Sequence, residues 1–182
     1  MAIIEQLSSS AAWESFLAWR LEKGRFNWRE FEAADEFVNS GKCIRAGRNI
    51  FENKGLGIPE RILVNKMGTT KKRVVYCYGK EDMEVLRFIA HSLYRYDHIL
   101  TPNCYSFRRG QTVQSAVYVL RSQIADRQLW GYKIDIHNYF NSVSIPLLLP
   151  LLKEVLSDDE PLYSFFVGML TNPLVRDGEK VM

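Results

Sequence analysis

No apolar run in this sequence is long enough to cross a bilayer. The longest, near Ile145 to Leu152, is broken by Pro146 and Pro150. The chain opens Met-Ala-Ile-Ile-Glu, with no basic start and no long apolar core behind it, so a secretory leader is not expected. Cysteine is scarce. Cys43, Cys77 and Cys104 are odd in number and far apart, which fits neither a zinc site nor a disulfide framework and points to a reducing cytoplasm. His91, His98 and His137 are scattered and read as structural or surface residues, not ligands. Internal repeats and low-complexity linkers are also missing. These absences exclude a helical membrane span, a disulfide-stapled secreted scaffold, a zinc finger and a repeat array.

What remains is a globular composition. The 182 residues are nearly half apolar and a quarter charged, enough for one domain with a real core, or one and a half small ones. The net charge of +3 is unevenly spread. From Lys42 to Lys80 ten Lys or Arg face two acids, Glu52 and Glu60, so this window carries +8 and the remainder −5. Such a surplus favours a polyanionic partner bound in a salt-sensitive way, or else a solvated basic face with no partner.

Periodicity predicts the elements. Trp13, Phe16, Leu17 and Leu21 form a helical stripe behind a serine N-cap, ending near Gly24. Asn27 to Glu30 offers a capping box for a second helix reaching about Asn39, with Trp13, Trp19 and Trp28 read as packing residues. Gly41 to Lys54 is a third, basic helix. Arg61–Val64 and Arg73–Tyr78 read as strands joined by a polar, glycine-containing, cationic turn, which is a hairpin. Helices follow over Asp82–Tyr96 and Thr112–Ala125, the latter with Val113, Ala116, Val117, Leu120 and Ile124 in register. Ser144-Ile145-Pro146 starts another helix, Pro150 either kinks it or marks its true beginning, and Leu162–Leu170 supplies one more. Leu174 to Met182 reads as a strand, an Asp-Gly turn and the start of a return strand.

Between these lies Tyr132 to Ile136, expected as a short buried strand with Asp135 near its end. Burying an unpaired carboxylate costs several kcal/mol, roughly, so such an acid calls for a cation, a metal or water. Phe140 returns five residues later. Asp-x-x-x-x-Phe at this place resembles the first metal-binding motif of reverse transcriptases. Two earlier segments fall in the matching order. The basic hairpin Lys66 to Arg73 resembles the family's fingers motif. Cys104-Tyr-Ser-Phe-Arg-Arg-Gly-Gln-Thr-Val-Gln-Ser-Ala116 is similar to its Tyr-Gly-Phe-Arg-Pro-Gly-Arg-Ser-x-x-x-Ala stretch, with Ser106 in place of Gly and Arg109 in place of Pro. The match runs from about Arg61 to Leu156 and is closest to the bacterial, group II intron-like type, whose members serve retroelements, retrons and phage defence.

The resemblance implies an α+β fold: a helical N-terminal extension (1–57), fingers with a β-hairpin and helices (58–128), and the first part of a palm sheet (129–182). It implies RNA-directed DNA polymerase activity, with an RNA template, a DNA or RNA primer, dNTPs and two Mg²⁺ ions as partners. Asp135 would anchor metal as the catalytic carboxylate, with the Ile136 carbonyl as a second oxygen. Lys66 and Arg73 would hold the nucleotide's phosphates, and Phe140 would pack under its sugar and select deoxynucleotides. Lys71, Lys72, Arg108 and Arg109 would meet nucleic-acid phosphates, the last two just ahead of a helix N-terminus. The physical roles agree with this. Phosphoryl transfer spreads negative charge over several oxygens, and cations placed around it carry the catalysis.

The family's second acidic motif, an aromatic and a small residue followed by Asp-Asp on a tight hairpin, is absent from the sequence. The expectation is therefore that these residues are the fingers and incomplete palm of a longer enzyme and do not polymerise alone, and that an open sheet edge promotes self-association. Two other readings stand beside it. One is a non-catalytic RNA-binding module in which Asp135 is vestigial and Lys71, Lys72 and Arg73 dominate. The other is a helical interaction domain with no nucleic-acid role. No membrane partner is expected, and the location is cytoplasmic.

Overall fold

A computed structural model of the chain describes residues 2–24, 27–52, 55–65, 68, 70–124, 128, 130–136 and 139–172, without the side chains of residues 140 and 141. The elements in chain order are α1 (Ile3–Gln6), α2 (Ser10–Glu22), α3 (Trp28–Asn39), α4 (Lys42–Phe51), β1 (Glu60–Asn65), β2 (Lys72–Cys77), α5 (Lys80–Ser92), a 3-10 stretch (Leu93–Ile99), α6 (Val113–Ile124), α7 (Tyr139–Ser142), α8 (Ile145–Val155) and α9 (Glu160–Leu170). The chain is thus a mixture of helix and strand in which helix dominates. Among the described residues the only sheet is the antiparallel pair β1–β2. No described helix is long and apolar enough to cross a membrane.

The residues fall into two compact units. One runs from the N-terminus to His91 and resumes at Ser144; the other is Ser92–Val143.

The first unit holds the core. Local sequence starts its helices: Ser9 accepts from the Ala12 N–H at the head of α2, and Asn27 and Glu30 form a reciprocal capping box on α3. The helices then bury one aromatic cluster. The Trp13 ring lies 4.5 Å from Phe88, 5.5 Å from Phe37 and 6.0 Å from Phe16, and its indole N–H donates to the Leu7 carbonyl at 2.9 Å. Burying each large ring stabilises by about 1.5–3 kcal/mol, and edge-to-face contacts add roughly 0.5–1.5 kcal/mol. Trp28, expected as a packing residue, is instead 70% exposed and lies beside Phe31 of its own helix. At the head of α3 its side chain leaves the helix on the solvent side.

α1 is too short for periodicity to announce it, yet Ile3, Ile4 and Leu7 are almost fully buried. Its approach to α4 needs Gly47, where a Cβ would stand 2.4 Å from the Leu7 carbonyl oxygen. Asp159 fastens α1 to α9. Its carboxylate, 1% exposed, accepts from Leu162 N–H at 3.1 Å and also from the Ile3 N–H. One anion therefore serves the positive ends of two helices. Arg20 is buried against Glu84 at 2.6 Å, and Glu84 also pairs with Arg87. Desolvation lowers the Arg20 pKa, and Glu84 opposes that shift. α8 runs through Pro150 without being interrupted, with Pro146 in its first turn.

The second unit is built differently. α6 forms where its periodicity predicts, but none of its residues is buried, and Val113, Val117 and Leu120 face solvent. The buried strand expected over Tyr132–Ile136 is not formed. These residues pair with no strand among those described, and Trp130, Tyr132 and Ile134 are 94%, 92% and 87% exposed. A strand is stable only when its backbone groups and one face find partners, and none is supplied here among the described residues. The hairpin expected over Leu174–Met182 lies outside the described residues.

Candidate nucleic-acid interface

The expected site residues divide between the two units. In the first, the hairpin register pairs Arg61 with Tyr76, Leu63 with Val74, Val64 with Arg73 and Asn65 with Lys72. Because successive residues of a strand point to opposite faces, Lys72 and Arg73 are set apart, and the register decides which β1 residues join each. Lys72 shares a face with Arg61, Leu63 and Val74; Arg73 shares the other with Ile62, Val64 and Val75. Lys71 lies just before β2, and all three cations are exposed. Lys66 lies outside the described residues.

In the second unit, the loop Thr101–Gly110 is held by its own arginines. The Arg108 guanidinium donates to the Thr101 carbonyl at 2.9 Å and to the Cys104 carbonyl at 3.4 Å. The Cys104 N–H returns to the Thr101 carbonyl at 3.0 Å. Asp97 accepts from the Arg109 backbone N–H at 2.9 Å. The Arg109 guanidinium sits over the Tyr94 ring at 5.5 Å and is exposed. Arg108 thus clasps the loop, while Arg109 is the cation turned toward solvent. Thr112 and Ser115 exchange hydrogen bonds at the start of α6.

Asp135 and Ile136 belong to the exposed stretch without regular structure. The expectation that Asp135 is buried, and needs a cation for that reason, does not hold there: water solvates an exposed carboxylate at no cost. A magnesium ion takes six oxygens at near-octahedral geometry and is commonly held by one or two carboxylates with waters and substrate phosphates. Among the described residues no group of three or more His, Cys, Asp or Glu could hold a metal. The donor set therefore does not by itself fit a two-metal centre. Phe140 lies within α7, and its side chain is outside the described part.

Sequence reasoning assigned no role to Arg45 and Arg48. They are one turn apart on the exposed face of α4 and line a cleft of ≈ 650 Å³. Their i, i+3 spacing on a basic helix is the signal that marks them. Glu52, Glu81 and Asp82 line the same cleft, so its sign is mixed and it is no simple phosphate cradle. A smaller cavity of ≈ 190 Å³ lies between Ile50, Leu56, Tyr78 and Phe165. Burial, aided by Asp82, holds the Tyr78 hydroxyl above the usual phenol range.

No family model matches the chain, and no curated protein and no solved structure matches it.

Proposed function

We propose that this chain supplies the fingers and first palm segment of an RNA-directed DNA polymerase, a nucleotidyltransferase that copies RNA with dNTPs. The observation that carries the reading is the hairpin. Two paired strands present Lys71, Lys72 and Arg73 to solvent, and a self-clasped loop with Arg109 facing out follows along the chain, ahead of a helix. Exposed Lys and Arg gain from phosphate chiefly by releasing counterions, and Arg adds a fork that fits two oxygens at once. Arg73 and Lys66 take the nucleotide's phosphates. Lys71, Lys72 and Arg109 take the template–primer backbone, and Arg108, expected there too, holds the loop that presents Arg109. Phe140 takes the sugar. Asp135 and the Ile136 carbonyl are the oxygens offered to magnesium, and no catalytic step is assigned to the metal.

Two measurements test this. Binding of a labelled single-stranded RNA should be tight at low salt and weaken steeply as salt rises. In the Lys71→Ala/Lys72→Ala/Arg73→Ala variant the log–log salt slope should fall by about 1 for each phosphate that the hairpin no longer neutralises. Primer extension on an RNA template, by the uninterrupted protein that carries these residues, should vanish in Asp135→Asn.

The second reading, a non-catalytic RNA-binding module, is favoured by one observation: Asp135 is exposed and gathers no ligand cluster among the described residues. Under it, Asp135→Asn changes nothing, and the hairpin variant still loses RNA. Absence of RNA binding at low salt defeats both readings and leaves a helical interaction domain.

A further inference from the structure

Phe107 is the only non-glycine residue with positive φ among those described, at 58°. Its side chain is 92% exposed. Each fact alone opposes stability. The left-handed region brings a Cβ close to the following carbonyl, a conformation bulky residues avoid. A benzyl group in water gains nothing from burial. The residue nevertheless sits in a loop that fixes it from both sides. On one side, Arg108 spans the Thr101 and Cys104 carbonyls, and the Cys104 thiol donates to the Ser106 carbonyl at 3.6 Å. On the other, the Arg109 N–H is held by Asp97 and the Arg109 guanidinium by the Tyr94 ring. Gly110, at φ 75°, completes the turn. The loop's hydrogen bonds thus maintain a strained backbone whose visible product is one aromatic ring exposed to solvent, two residues before an exposed cation. Strain kept in this way belongs to sites that act on something else.

We propose that Phe107 is a stacking platform for an unpaired base of single-stranded RNA, with Arg109 beside it for the adjoining phosphate. The assignment rests on the nucleic-acid reading above and adds to it a named base contact. An aromatic ring offers its face to any base, so the contact is tolerant of sequence, and a backbone already fixed in the presenting conformation has little freedom left to lose on binding. A buried apolar role is ruled out by the exposure of the ring, and a purely structural role would be better filled by glycine at this φ.

The test uses the full chain and a single-stranded RNA oligonucleotide carrying one 2-aminopurine, whose fluorescence is quenched when it stacks. Phe107→Ala should bind roughly ten-fold more weakly and lose the quenching. Phe107→Tyr and Phe107→Trp should keep both. Phe107→Gly should bind as weakly as Phe107→Ala while unfolding at a higher temperature, because glycine relieves the backbone. Four results overturn the proposal or its basis. If Phe107→Leu binds and quenches like the parent, the ring is not stacking. If Phe107→Gly melts lower than the parent, the backbone is not strained. If Phe107→Ala binds and quenches like the parent while the Lys71/Lys72/Arg73 variant loses RNA, the platform is wrong and the nucleic-acid reading stands. If the parent chain itself does not bind the oligonucleotide, both fall together.

Discussion

Asp159 shows how far one buried side chain can reach. Its two oxygens accept from the first turns of α1 and α9, helices at opposite ends of the sequence. Asp159→Ala leaves two helix N-termini without their acceptor inside the core and should destabilise the chain by about 2–3 kcal/mol in urea unfolding. Asp159→Asn, which keeps a carbonyl acceptor, should cost less. Cys43 contributes at the same scale through protonation. Burial pushes its thiol above the ordinary value of 9.0, so the folded chain holds this proton more tightly than the unfolded chain. As pH climbs past that ordinary value the unfolded state releases the proton first. Stability therefore falls with rising pH until the folded value is also passed. Tyr78, raised mainly by burial and then by Asp82, adds the same sign at still higher pH. Unfolding midpoints should decline on the alkaline side, and Cys43→Ala should remove the earlier part of that decline.

At the level of elements, α8 and the hairpin illustrate opposite balances. Pro150 lies inside α8, where it cannot donate to the carbonyl one turn back. It is exposed, so replacement disturbs no packing. Pro150→Ala should raise stability by about 1–2 kcal/mol, the gain in helix propensity less the unfolded-state freedom that proline removes. Calorimetry or urea titration measures it directly. The hairpin was legible from its β-branched runs and glycine-containing turn, because the signals lie within the two strands and their connection. That Lys72 and Arg73 take opposite faces follows from strand alternation and was legible too; which residues of β1 share each face was not, since that depends on the register.

For the molecule as a whole, the distribution of apolar surface is the dominant fact. The first unit buries Trp13, Phe16, Phe37 and Phe88, whereas in the second Val113, Val117, Tyr118, Trp130, Tyr132 and Ile134 are exposed. An apolar surface of that extent, with an irregular stretch unpaired among the described residues, favours association. Sedimentation velocity should show mass increasing with concentration, and Trp130→Lys with Ile134→Lys should shift the distribution toward monomer. A chain that stays monomeric at high concentration would remove this expectation.

α2 and α6 carry the same kind of apolar stripe, and that comparison marks how far sequence reaches. Both helices form where periodicity places them, because helix formation is settled by hydrogen bonds and caps within a few residues. Ser9 and the Asn27–Glu30 box were readable for the same reason. Only α2 finds a core: its Trp13 and Phe16 meet Phe37 and Phe88 from distant parts of the chain, while α6 buries nothing. The sequence by itself determined the longer helices, the hairpin and the concentration of positive charge between Lys42 and Lys80. The tertiary structure alone decided that Asp159 joins two helices, that Trp28 faces water, that Tyr132–Ile136 pairs with no described strand and that Phe107 is held out in a left-handed turn. The first and third depend on what distant residues bring to a side chain or a peptide group, and the others on three-dimensional contacts that hydrophobic periodicity does not encode.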